Sequence, residues 1–200
     1  MKIKSWTPSY VLNRLRLFIE QKRFPEEPWL TKKAIQFLDN FLKKSDKGLE
    51  FGMGRSTLWF SKRVASLVSY ETDKNWFEKT NKLLKEKNIK NVKTVCVEEN
   101  ELNKNLKIKN IKNNSLDFIL VDNKGDRLSP VIISIPLLKK GGILIIDNIN
   151  WYMPSKDTGT IDSVKNTMKE WTKVEKTLSV WRRFYTSNGV FDTAIYIKPN

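Results

Sequence analysis

Five short apolar segments separated by helix-length stretches constrain this chain more tightly than its composition does. They cover 48–51, 66–70, 92–97, 116–121 and 143–146. Between them, 56–65, 73–87 and 130–138 carry the apolar spacing of helices, with Trp76, Leu83 and Leu84 marking the inward face of the second. Pro136 is expected to kink or shorten the third. The run Leu116-Asp117-Phe118-Ile119-Leu120-Val121 is apolar at nearly every position, so this strand is expected to be buried on both faces. Strands that alternate with helices form a mostly parallel α/β sheet, because each right-handed crossover packs its helix back onto one face. The carboxyl ends of the strands then share one edge, where ligands bind.

On the N-terminal side, Tyr10, Leu12, Leu15, Phe18 and Ile19 recur at helical spacing until Phe24-Pro25-Glu26-Glu27-Pro28 breaks the helix. Thr31 can cap a second helix carrying Ala34, Ile35, Leu38, Phe41 and Leu42. Beyond the fifth strand, 162–171 reads as a helix and 173–181 and 191–197 as two late strands, which makes seven strands in all. A length of 200 residues suits one domain, 1–200, with its core over 48–200.

Composition narrows the chemistry. With no histidine, Ser-His-Asp and Cys-His hydrolases are excluded, and a metal would need oxygen ligands of the kind that suit Mg or Mn. The single cysteine, Cys96, forbids an internal disulfide, and no apolar run reaches the length of a membrane span. The first residues lack a signal-like apolar stretch, so a cytoplasmic protein is expected. The net charge of +15 admits a nucleic-acid partner, although the lysines are spread along the chain in the manner of solvated helix faces.

The first strand-to-helix turn reads Leu49-Glu50-Phe51-Gly52-Met53-Gly54-Arg55-Ser56-Thr57-Leu58. Gly52 and Gly54 let the backbone approach a ligand, and Ser56 and Thr57 open a helix whose free N–H groups favour a carboxylate. Thr57 stands where a dinucleotide fingerprint needs glycine, and no Gly-Lys-Ser/Thr follows, so neither a dinucleotide fold nor a P-loop is implied. Glu71 ends the second strand, where a carboxylate can accept both hydroxyls of a ribose.

Glu-x-Gly-x-Gly-x-Ser-Thr followed by a strand-ending Glu resembles the class I S-adenosylmethionine-dependent methyltransferases, over about 29–148 and more loosely beyond. Pro28-Trp29-Leu30-Thr31 is also similar to a segment that precedes the glycine turn in some members. The resemblance implies a Rossmann-like doubly wound sheet with an antiparallel last strand, and N-terminal helices, here 1–47, over the cofactor and acceptor cleft. It implies that Glu50, Phe51, Gly52, Gly54, Ser56, Thr57, Glu71, Thr72, Val97, Glu98 and Asp122 surround the cofactor, with Glu71 on the ribose and Val97 and Glu98 beside the adenine.

The segments Val121-Asp122-Asn123-Lys124-Gly125 and Ile146-Asp147-Asn148 are similar to those of catechol O-methyltransferase and related small-molecule O-methyltransferases. In that family the matching positions, Asp122, Asp147 and Asn148, hold a divalent cation that lowers the pKa of the acceptor hydroxyl. Many class I members carry the Asp-Asn pair without a metal, so both possibilities stand. Without one, Asp122 and then Asp147 are the candidate general bases. The family's catalytic lysine falls on Gly125, with Lys124 adjacent as a substitute.

An acceptor is expected at the loop after the fifth strand, through Trp151 and Tyr152, with Trp181 and Arg127 as further contacts; Arg127 can instead pair with Asp126 in an exposed ion pair. Asp-Asn-x-x-Trp-Tyr and Asn-Gly-Val-Phe-Asp-Thr-Ala resemble methyltransferases of glycan assembly, which implies a sugar hydroxyl as acceptor and a module of a larger, viral glycan-synthesising protein. An RNA methyltransferase and a non-catalytic binding module are the competing readings.

Overall fold

The computed structural model describes residues 6–99, 101, 108 and 111–200. Its elements are α1 (Pro8–Arg23), α2 (Lys32–Phe41), β1 (Lys47–Phe51), α3 (Arg55–Ser61), β2 (Ser66–Glu71), α4 (Lys74–Glu86), β3 (Val92–Cys96), β4 (Leu116–Val121), α5 (Leu128–Leu137), β5 (Leu138–Asp147), α6 (Thr172–Leu178), β6 (Arg182–Ser187) and β7 (Asp192–Ile197). The strands form one seven-stranded sheet in the order β3-β2-β1-β4-β5-β7-β6. All pairings are parallel except those of β7, which runs antiparallel to β5 and β6. The alternation implied the mostly parallel sheet, and the resemblance its Rossmann-like, doubly wound arrangement. The chain reverses its direction of travel between the neighbours β1 and β4, and their carboxyl ends open a crevice.

Period two explains the two cores. In β4, Ile119 and Val121 face one cluster with Leu49, Phe51, Leu144 and Ile146, while Phe118 and Leu120 face another with Ala34, Leu38, Phe60, Ile143 and Ile145. Both faces are covered, as the uninterrupted apolar run required. Thr7 caps α1 by accepting the Tyr10 N–H at 3.2 Å, with Pro8 opening the helix. Thr31 stands at the N-cap of α2 as expected, but its hydroxyl bonds Thr186 instead of capping the helix.

Two expected elements are corrected. The segment 162–171 is irregular apart from a 3-10 turn at Lys169–Trp171, and the expected strand at 173–181 is the helix α6, with β6 starting only at Arg182. Trp171, Val174, Leu178 and Trp181 are all buried in one cluster, and their three- and four-residue spacing is that of a helix face. Helix α3 also ends at Ser61, short of the expected Ala65. Among the described residues, no helix is long and apolar enough to cross a membrane.

A Cβ on Gly48 would lie 2.0 Å from Cζ of Phe118, so the ring fills the space that Gly48 leaves empty. Phe118→Ala is expected to cost about 3–5 kcal/mol of folding stability in urea titrations. A loss below about 1 kcal/mol would mean that this face of the sheet collapses onto the void.

Candidate active site

Strand β1 ends where the Phe51 carbonyl accepts the Asp122 N–H at 2.9 Å. The next residue, Gly52, has φ +97°, and a Cβ there would lie 2.8 Å from the Asp122 carbonyl and the Asn123 nitrogen. Only glycine lets this turn cross the end of β4 so closely. The turn is braced from beneath. Thr57 accepts the Gly54 N–H at 2.9 Å and donates to Glu50 Oε2 at 2.6 Å, and Ser69 donates to the same oxygen at 2.5 Å. Burial pushes the Glu50 carboxyl up to about 7, against the opposing hydroxyls of Ser56, Ser69 and Thr57.

Glu71, buried at the end of β2, ties this turn to the start of α4. Its Oε2 accepts the Met53 N–H at 2.8 Å, and its Oε1 accepts those of Thr72 and Asp73, each at 2.8 Å. Asp73 caps α4 by accepting the Trp76 N–H at 3.0 Å, which places the Trp76 ring over the strand ends, where its Nε1 donates to the Met53 carbonyl. The Trp29 ring lies 6.4 Å away, between centroids.

A cavity of about 360 Å³ results. Of the expected cofactor and catalytic residues, it gathers Gly52, Gly54, Ser56, Glu71, Asp122 and Lys124. Glu50, Phe51 and Thr57 have no exposed surface and brace the turn from below instead of facing the cavity. Thr72 contributes its N–H to Glu71, and Val97 donates its own to the Glu71 carbonyl at 2.9 Å; Val97 and exposed Glu98 lie outside these walls. Trp29, Met53, Arg55, Asp73 and Trp76 complete the walls. Trp76 reads as a core residue from its spacing; the signal that corrects this is the capping Asp73 three residues before it.

Arg127 governs the other half of the site. It is buried, and it donates from Nη2 to Asp122 Oδ1 at 3.0 Å, from Nε to the Asn123 carbonyl at 3.0 Å, and from Nη1 to the Asp147 carbonyl. The expected exposed pair with Asp126 is therefore corrected. Asp126, one residue before the N-cap of α5, turns instead to the helix's first turn, accepting from Leu128 N at 2.8 Å and Ser129 Oγ at 2.6 Å. Asp147 Oδ1 accepts from Thr193 Oγ1 at 2.7 Å. Burial pushes Asp122 up to about 6, with Arg127 opposing the shift and Glu71 adding to it; burial and the charge of Asp122 raise Asp147 well above the usual carboxylate range.

A second cavity, of about 510 Å³, lies over Asp122, Asp147 and Asn148 and is walled by Arg14, Phe18, Trp29 and Phe191. The expected acceptor residues are not on it. Trp151 is half exposed, Tyr152 stacks on Trp171 with centroids 4.5 Å apart, and Trp181 is 8% exposed within the core.

The expected metal ligands share one cavity, but Asp122 already has a cationic partner. Asn148, in the left-handed region at φ 51°, reaches the same cavity as Asp122 and Asp147, but the Arg127 guanidinium already supplies the positive charge between the two strand ends. A divalent ion on Asp122 Oδ1 would sit against that guanidinium. The donor set does not fit Mg or Mn.

No family model matches the sequence, and no curated protein matches it significantly. Solved structures do. A protein from Staphylococcus aureus, provisionally named a caffeoyl-CoA O-methyltransferase, has 20% identity and a TM-score of 0.60, covering 96% of this chain and 93% of its own. A provisionally named methyltransferase from Streptococcus mutans, in complex with SAH, has 16% identity and a TM-score of 0.59, covering 86% and 99%. An rRNA methylase from Streptococcus thermophilus has 12% identity and a TM-score of 0.58, covering 84% and 95%. The chain has the Rossmann-like fold of the S-adenosylmethionine-dependent methyltransferases.

The Glu50 carboxyl gives a test of the buried brace. Its folded pKa of about 7 lies above the ordinary 4.5, so the folded state holds the proton longer and its stability falls as pH rises through that window. Glu50→Gln, which cannot ionise, should gain about 3 kcal/mol on the parent between pH 4.5 and pH 8 in denaturant titrations. A difference that does not change with pH would refute the buried, protonated Glu50.

Proposed function

We propose that the protein transfers the methyl group of S-adenosylmethionine to a hydroxyl oxygen of a small molecule, with a sugar or glycan as the favoured class. The observation that carries this reading is that Asp122 and Trp29 line both cavities, so the glycine-turn pocket and the pocket under α1 meet at one carboxylate. The fold neighbours support the cofactor. Bound there, S-adenosylmethionine supplies a methyl group already activated on a sulfonium. The chain's own residues then orient and deprotonate. Gly52 and Gly54 would admit the methionine end and Glu71 would hold the ribose, with Lys124 lining the same cavity as Asp122. Asp122, ionised near neutral pH yet more basic than an ordinary carboxylate, would take the proton of the acceptor hydroxyl and so make its oxygen nucleophilic toward that methyl group. The aromatic walls of Phe18, Trp29 and Phe191 suit a sugar ring as well as a flat one.

An RNA acceptor is the second reading. The net charge of +15, and a groove of about 810 Å³ where Arg55, Arg63 and Lys79 lie over the rings of Trp29, Trp59 and Trp76, favour it. The rRNA methylase among the fold neighbours is of that kind.

Calorimetric titration with S-adenosylmethionine and SAH should show binding that weakens about tenfold or more in Glu71→Ala. In turnover assays on methyl glycosides, catechol and RNA, Asp122→Asn should lower kcat by roughly a hundredfold or more with cofactor affinity little changed, and EDTA should leave the rate unaltered. Absence of cofactor binding would overturn the proposal. Salt-sensitive methylation of RNA alone would move it to the second reading.

A further inference from the structure

Helix α1 turns its apolar stripe away from the protein. Tyr10 is its one buried residue, and half-buried Leu17 packs beside it against Val190 and Phe191. On the opposite side Val11, Leu12, Leu15, Phe18 and Ile19 are each between 44% and 56% exposed. Offsets of one, four, seven and eight residues put them on one stripe about two turns long. Trp6, just ahead of the helix, is 58% exposed. Arg14 and Arg16 edge the stripe and Lys22 and Arg23 close it in the last turn, against the single carboxylate of Glu20. None of these four cations is in an ion pair among the described residues, and Lys22 reaches back over the Phe18 ring at 4.5 Å.

We propose that α1 is a docking surface for an anionic lipid bilayer, lying in the plane of the interface with its stripe at the acyl boundary. Charge selects this occupant. A second copy pressed stripe to stripe would set four cations against four, with one carboxylate on each side to relieve them. An anionic headgroup layer instead complements the cationic edges, and the net charge of +15 draws the whole chain toward it. An apolar face edged by Lys and Arg, with a tryptophan at one end, is the pattern of a helix that rests on a membrane without spanning it. Phe18 belongs both to the stripe and to the wall of the cavity over Asp122 and Asp147, so a surface that takes the stripe meets that cavity at its rim.

The test is co-flotation of the full chain with vesicles of phosphatidylcholine alone and of phosphatidylcholine mixed with phosphatidylserine. Binding is expected to the mixed vesicles, falling as salt is raised, with little on the neutral ones. The double variant Leu15→Glu, Ile19→Glu should bind about tenfold or more weakly, while its thermal midpoint and its affinity for S-adenosylmethionine stay those of the parent, because both side chains are already in water. Failure of the parent to bind mixed vesicles, or undiminished binding by the variant, overturns the proposal. So does a dimer of the parent that the variant dissolves without any vesicle binding. Membrane docking is read without turnover, so its failure is separable from failure of the methyl-transfer reading.

Discussion

One guanidinium holds the working edge of the sheet together. Arg127 leaves the start of α5, passes under the end of β4 and reaches the last residue of β5, bonding a side-chain carboxylate and two backbone carbonyls on the way. A buried charge is tolerated only when its donors find partners, and here three of its nitrogens do. The arrangement also separates two neighbouring acids. Asp122 shares the guanidinium and remains the more easily ionised of the pair; Asp147 lies deeper, feels the charge of Asp122, and keeps its proton longer. A pair of carboxyls divided in this way gives one group suited to accept a proton and one suited to hold a fixed geometry.

The fixed geometry comes from the antiparallel strand. Thr193 on β7 lies opposite Asp147 and donates to its carboxyl, while its own oxygen accepts the Thr31 N–H at 3.2 Å from the start of α2. One residue earlier, fully buried Asp192 accepts from Thr158, from Thr160 at 2.5 Å and from Tyr185 at 2.7 Å. These bonds hold the segment after β5 against the sheet, consistent with Trp151 and Tyr152 standing clear of the cavity that α1 walls instead. The polar residues of β7 thus serve to place the loop and the helix on either side of the site.

The sheet was legible because its central strands are buried on both faces and its turns carry their own chemistry: Gly52 where only glycine fits, Asp73 where a helix must start. The misread segment failed for an equally local reason. Trp171, Val174, Leu178 and Trp181 are spaced for a helix, and that spacing, not a period of two, decides the fold of 173–181. The site was legible in its acids and opaque in their partners. Nothing in Asp122-Asn123-Lys124-Gly125-Asp126-Arg127 says that Arg127 skips its neighbour Asp126 to reach Asp122, since that choice is set by where α5 begins. The same limit applies to α1, whose periodicity announces a stripe but not the medium that the stripe faces.

The balance of charge inside the crevice follows from these contacts. A chain of net +15 gathers Glu50, Glu71, Asp122 and Asp147 at one edge of its sheet. A sulfonium bound there would lose its positive charge as the methyl group leaves. Carboxylates left free to attract it would stabilise the reactants more than the transition state, which slows the reaction instead of speeding it. In this crevice little of that negative charge is free. Three backbone N–H groups take up Glu71, the guanidinium takes up Asp122, and burial makes Glu50 and Asp147 hold their protons to higher pH than ordinary carboxyls do. What remains is a polar pocket of fixed dipoles with one moderately basic carboxylate, a balance that on the proposed reading would favour proton removal from an acceptor over tight retention of a cationic cofactor.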